Sequence, residues 1–142
     1  MLAKLVDLGI PDRAINWIIS YLTGRTQAVK CNGVVSSTAE INTSIVQGSG
    51  IGPMLYAAME NDLRTLSIMN VLVKYADDTN LVVPSDSDID LVEEFNNVKQ
   101  WAEENKMILN LQKTKEIVFR RPNPRLDIYP DPITEVEQVF FC

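Results

Sequence analysis

"VLVKYADDTNLVV", residues 71–83, sets two adjacent carboxylates between two apolar runs. Val71 to Ala76 and Leu81 to Val83 read as buried strands, and the stretch reads as an antiparallel hairpin with strands 71–76 and 79–83. On a tight hairpin neighbouring side chains point in different directions, so Asp77 and Asp78 can both reach one site above the turn. Two bare carboxylates repel, and one tends to hold a proton, unless a cation lies between them. Mg²⁺ suits such a pair, because it takes one or two carboxylates together with substrate phosphates. The alternative is a solvated turn, since Asp is favoured in turns, and on spacing alone that is the better reading.

Working outward, "SDSDIDLVEEFNNVKQWAEENKM" follows the hairpin as an amphipathic helix, expected over 87–106. Its apolar stripe is Leu91, Val92, Phe95, Val98, Trp101 and Ala102. Ser87, with Asp90 three residues on, resembles a capping box. Before the hairpin, Pro53 can open a helix running through "MLYAAMENDLRTLSIM", expected over 53–68. Further back, "TQAVKCNGVVSSTAEINTSIV" reads as a hairpin with Asn32-Gly33 as its turn. A helix is expected over 12–23, after Pro11, with Ala14, Ile15, Ile18, Ile19 and Leu22 at helical spacing and Gly24 as the stop. "LAKLVDLGIP" is already helix-like, with Leu2, Leu5 and Val6 on one face. Near the other end, "KEIVF" and "ITEVEQVFF" read as strands, joined by the proline-rich "RRPNPRLDIYPDP" as a loop or a ragged hairpin turn. Hairpins imply antiparallel pairing, so the class is α+β with helices on one face of a sheet.

Composition narrows the chemistry. The 142 residues suffice for one domain with a sizeable core, expected over 1–142. There is no histidine, which excludes Ser-His-Asp and Cys-His nucleophiles and most zinc sites. Cys31 and Cys142 suggest neither a disulfide framework nor a metal site. No apolar run reaches the roughly 20 residues that span a bilayer, and the N-terminus lacks the features of a secretory signal. The net charge of −6 is the wrong sign for a free-standing nucleic-acid binder. Both ends read as cut: the first helix has no cap before it, and the last strand stops on Phe-Phe-Cys.

Two further stretches can carry chemistry. The glycines of "QGSGIGP", residues 47–53, allow backbone to approach a ligand, and Gln47 offers an amide to a base or sugar. A plain strand-to-helix connection explains the same glycines. In "NLQKTKEIVF", Lys113 could stabilise or protonate a phosphate leaving group. Taken alone, a lysine guarding a strand edge is the better reading.

Taken in order, these blocks resemble the palm domain of reverse transcriptases, most closely those of non-long-terminal-repeat retrotransposons. The pattern "YL.GR.Q.V" matches Tyr21, Leu22, Gly24, Arg25, Gln27 and Val29. "PQGS.LGP.LF" matches Gln47, Gly48, Ser49, Gly52, Pro53 and Leu55. "YADD" is Tyr75 to Asp78. "W...N...LN..KTK...F" matches Trp101, Asn105, Leu109, Asn110, Lys113, Thr114, Lys115 and Phe119. The likeness covers nearly the whole chain, and four ordered blocks make it specific.

The resemblance implies an incomplete α+β palm-like fold: an antiparallel sheet with helices on one face, without fingers, first catalytic strand or thumb. It implies an RNA-directed DNA polymerase using two metal ions, Mg²⁺ or Mn²⁺, with RNA template, DNA primer and dNTPs as partners and no membrane. Asp77 and Asp78 would hold metal, Tyr75 and Ala76 would lie beneath the primer end, Gln47, Gly48 and Ser49 would sit beside template base and nucleotide, and Lys113 would face the triphosphate. A third carboxylate belongs to an upstream block absent from this chain, so the chain alone is expected to be inactive and to bind metal incompletely. Its place is expected to be intracellular, in nucleus or cytoplasm. Val46, Gly50 and Tyr56 depart from the family pattern, which keeps open a degenerate, non-catalytic relic. An interaction module unrelated to polymerases, suggested by the acidic charge, leaves four ordered blocks to coincidence.

Overall fold

The computed structural model describes residues 1–41, 46, 48–120 and 130–141. The chain divides into two compact units, Met1–Asp62 and Leu63–Cys142.

In the first unit, α1 (Leu2–Asp7) stops where Gly9 turns left-handed, φ 70°. The Gly9 N–H donates to Val6 O and the Ile10 N–H to Leu5 O, the paired bonds of a Schellman stop. Pro11 then caps α2 (Asp12–Leu22). It lies one residue before the helix rather than in its first turn, and its carbonyl accepts the Ala14 and Ile15 N–H groups. Leu5, Ile15, Ile18 and Leu55 form the core, with Ile10, Leu22, Ile51 and Ala58 against it. Leu2, Val6, Ala14 and Ile19, expected on apolar faces, are exposed.

The expected hairpin after α2 is two nested antiparallel pairs. β1 (Arg25–Gln27) pairs with β4 (Ala39–Ile41), and β2 (Lys30–Cys31) with β3 (Val34–Val35). The inner turn has φ 50° at Asn32 and 81° at Gly33, the two positive angles a type I′ turn requires. Residues 42–45 of the same stretch lie outside the described residues.

α3 (Gly52–Met59) opens with Pro53 in its first turn. The expectation of a helix over 53–68 is corrected: it ends at Met59. Lys4 Nζ donates to the Met59 carbonyl and to Asp62 Oδ1, each at 2.6 Å, placing a cation at the helix C-terminus. Beyond it the backbone donors of residues 66 and 67 go to a side chain of α4 (Leu91–Glu104) instead of a helical ladder.

In the second unit, β5 (Val71–Tyr75) and β6 (Asp78–Val82) pair antiparallel from Val71↔Val82 to Tyr75↔Asp78. The two-residue turn is therefore Ala76-Asp77, one residue earlier than the Asp77-Asp78 turn that strands 71–76 and 79–83 imply. The strands are also not buried as expected. Val71, Val73, Tyr75 and Val82 share one exposed face, while Leu72 and Leu81 are half-buried on the other.

α4 buries or half-buries every residue of its expected stripe. It starts later than 87 because Asp90, not Ser87, is the cap. Asp90 Oδ1 accepts the Glu93 N–H at 2.8 Å, while Ser87 Oγ accepts the Ile89 N–H in the turn before it. It ends in a Schellman stop on Lys106, φ 56°, with Met107 N–H donating to Ala102 O.

β7 (Lys115–Phe119) and β8 (Glu137–Phe141) pair parallel, Lys115↔Glu137 through Phe119↔Phe141. This corrects the antiparallel expectation and removes the hairpin option for the proline-rich stretch. A parallel pair needs a crossover of a dozen or more residues. Residues 120–136 supply that length, and 121–129 of them lie outside the described residues.

The class is α+β. Among the described residues the strands form four two-stranded sheets rather than one layer.

Candidate active site

The β5–β6 hairpin presents four of the expected site residues together. Tyr75 and Asp78 are its last paired residues, and Ala76 and Asp77 are the two-residue turn. Ala76 has φ 51°, a left-handed conformation that costs an L-residue about 1–2 kcal/mol. The positive φ at the first turn position lets two residues reverse the chain. Asp77 and Asp78 are both exposed. Among the described residues neither carboxylate has a hydrogen-bond or ion-pair partner. Two unpartnered, adjacent carboxylates fit a hard divalent cation, to which they would offer part of an oxygen set. No group of three His, Cys, Asp or Glu side chains suited to a metal occurs among the described residues.

Lys113 stands on a separate, well-defined turn. The Asn110 carbonyl accepts the Lys113 and Thr114 N–H groups and the Thr114 hydroxyl, and Asn110 Oδ1 accepts the Lys113 N–H at 3.3 Å. That explains the spacing "N..KT": Asn110 gathers three donors and leaves the Lys113 side chain exposed. Lys113 makes no ion pair with either aspartate. Lys115 instead pairs with Glu137 across the first register of β7 and β8.

Gly48 and Ser49 lie in the other unit. Gly48 has φ 80°, so its glycine is required by the backbone. The Ser49 N–H donates to Val46 O, and Ser49 Oγ is buried without a partner among the described residues. Gln47 lies outside the described residues.

Sequence reasoning overlooked Glu94. It is fully buried on α4, where its carboxylate accepts the Leu66 N–H at 2.9 and 3.0 Å, the Ser67 N–H at 2.9 Å and Asn70 Nδ2–H at 2.8 Å. It thereby clamps the segment that runs directly into β5. Glu116, also buried, accepts the Ile133 N–H at 3.0 Å and Gln138 Nε2–H at 2.7 Å. The available signal was an acid beside Phe95 on the apolar side of an amphipathic helix, a position where a charge must find donors.

With that geometry in place, comparison with known proteins is decisive for the class. Residues 2–139 match the family described as reverse transcriptase (RNA-dependent DNA polymerase), and the chain belongs to that family. The RNA-directed DNA polymerase from mobile element jockey of Drosophila melanogaster is 31% identical over 111 residues, 70% of this chain and 12% of that protein. The probable RNA-directed DNA polymerase from transposon X-element of the same organism is 25% identical over 137 residues, 89% of this chain and 15% of that protein. Both of these relatives are polymerases of mobile elements. It spans less than a sixth of the length of either relative. No solved structure matches the chain significantly. Among the described residues no helix is long and apolar enough to cross a membrane.

Proposed function

We propose that the chain is a palm portion of an RNA-directed DNA polymerase and supplies two carboxylates to its nucleotidyl-transfer centre. The observation that carries this reading is the exposed, unpartnered pair Asp77-Asp78 on a two-residue hairpin, inside the family-matched span. Divalent cations bound there, Mg²⁺ or Mn²⁺, would activate a primer 3′-hydroxyl and neutralise charge on the leaving pyrophosphate. Asp77 and Asp78 would hold them, one from the turn and one from the start of β6. Tyr75 and Ala76 would support the primer end, and Gln47, Gly48 and Ser49 would border template base and incoming nucleotide. Lys113, exposed on its Asn110-organised turn and without an ion pair among the described residues, would place an ammonium against the triphosphate. Template RNA, primer DNA and dNTPs are the partners of this reading, and the nucleus or cytoplasm is its setting.

Two carboxylates are short of the set that two ions in register need, so the chain as given is expected not to extend a primer. A longer product of the same gene should synthesise DNA on an RNA template with Mg²⁺, and Asp77→Asn should abolish synthesis. Extension that survives Asp77→Asn would refute the assignment. The departures at Val46, Gly50 and Tyr56 favour a second reading, a degenerate copy without catalytic role. Absence of synthesis by the folded longer product under both cations would select it.

A further inference from the structure

We propose that the outward face of α2 is a second contact surface, built to stack a base of single-stranded nucleic acid. Trp17 and Tyr21 lie one turn apart on α2, Trp17 exposed and Tyr21 half-buried at the edge of the side that holds the core residue Ile18. Their rings are stacked, with centroids 5.5 Å apart and planes 10° from parallel. Trp17 nevertheless keeps 56% of its surface exposed. An amphipathic helix has no internal reason to spend a tryptophan on its solvent side. A stacked, part-open pair is a ready platform for a further flat ring, and such stacking tolerates any base.

The charge around the pair favours a nucleotide over an apolar protein surface. Arg13 precedes Trp17 by four residues, about 6 Å along the axis on the same face. It is exposed, and among the described residues it has no hydrogen-bond or ion-pair partner. Its guanidinium is thus available to a phosphate next to a base on Trp17. The other residues of that face, Asn16 and Ser20, are uncharged, and Asp12 lies about 100° round the helix from Arg13. The acidic excess is concentrated elsewhere: residues 1–62 hold five of the 19 acids and four of the 13 bases. The choice of a nucleic-acid occupant rests on the polymerase reading; the geometry of the face does not.

Trp17 and Trp101 are the two tryptophans of the chain, so Trp101→Phe makes Trp17 the sole indole reporter. Titration of that variant with oligo(dT) and oligo(rU) should quench Trp17 emission. Binding of a labelled oligonucleotide should weaken roughly tenfold or more in Trp17→Ala, and Trp17→Phe should restore most of it. Arg13→Gln should lower the slope of log affinity against log salt by about one. Absence of quenching, or unchanged affinity in Trp17→Ala with its far-UV circular dichroism intact, overturns the proposal. So does self-association that Trp17→Ala abolishes while oligonucleotide binding is unaltered, because the face would then bind protein. Asp77→Asn should leave the quenching untouched. Quenching without synthesis by the longer product would sink the polymerase reading alone, and synthesis without quenching would sink this one alone.

Discussion

Left-handed backbone marks the residues where this sequence carries strain. Ala76, φ 51°, and Lys106, φ 56°, occupy positions at which glycine is the usual choice. At Lys106 the strain has only a structural use, closing α4. Lys106→Gly should therefore raise stability by about 0.5–1 kcal/mol, read as a higher urea midpoint at unchanged slope. A lowered midpoint would show that the side chain contributes more than its backbone angle costs. At Ala76 the angle orients the two aspartates. Ala76→Gly should increase protection of the Tyr75 and Asp78 amides from hydrogen exchange, and Ala76→Val should reduce it, since a β-branched residue tolerates positive φ least. Equal protection in the two variants would contradict the strain assignment. Glu94 is the opposite case, a charge held by donors rather than a strained backbone. Glu94→Ala strands the buried Ser67 N–H and exposes the Leu66 N–H to the loss of its partner, at a cost of about 1–3 kcal/mol per unsatisfied group. Glu94→Gln keeps one acceptor oxygen and should lose less. A loss in Glu94→Ala no larger than that of an exposed acid such as Glu93→Ala would dismiss the clamp.

At the scale of elements, local chemistry was legible where the signal is local. Asn32-Gly33 announced its turn because two positive φ angles suit that dipeptide. The α4 stripe was legible because six apolar residues keep one period. The tip of the YADD hairpin was legible to within a residue per strand, and the chemistry proposed for it rests on the order of the four family blocks. What was not legible depended on distant partners. α3 reads as helix to residue 68, yet backbone donors beyond Met59 are claimed by Glu94, some 30 positions along the chain. The parallel sense of β7 and β8 follows from a long crossover that no strand pattern reports. Ser87 and Asp90 both look like caps, and only the loop geometry chooses between them: Ser87 closes its own turn on Ile89. Asp90→Ala should thus cost about 1 kcal/mol, while Ser87→Ala should cost distinctly less, each measured by urea unfolding. The reverse order would return the cap to Ser87.

For the whole molecule the decisive contrast is between what is buried and what is not. Among the described residues eight hydrophobic side chains are buried and 23 large ones are exposed. The exposed set includes Trp17, Tyr75, Ile68, Ile108 and Phe119, with Ile68 and Ile108 almost wholly in solvent. Burial of apolar side chains is the main term that offsets the entropy of ordering the chain, and eight such residues among those described are few for a chain of 142. The first unit rests on one cluster of four buried residues, and in the second two buried carboxylates organise loops through a few hydrogen bonds. The chain as given should therefore unfold at low denaturant with a shallow slope, and should bind a hydrophobic dye before any denaturant is added. The negative charge makes the effect dependent on salt: at −6, self-repulsion adds to the weak core, so added salt should steepen the transition and raise its midpoint. The measurement is a urea titration followed by circular dichroism at low and at physiological ionic strength, with dye fluorescence in parallel. A steep transition of full two-state slope, insensitive to salt and without dye binding, would show that the buried set is larger than these eight residues.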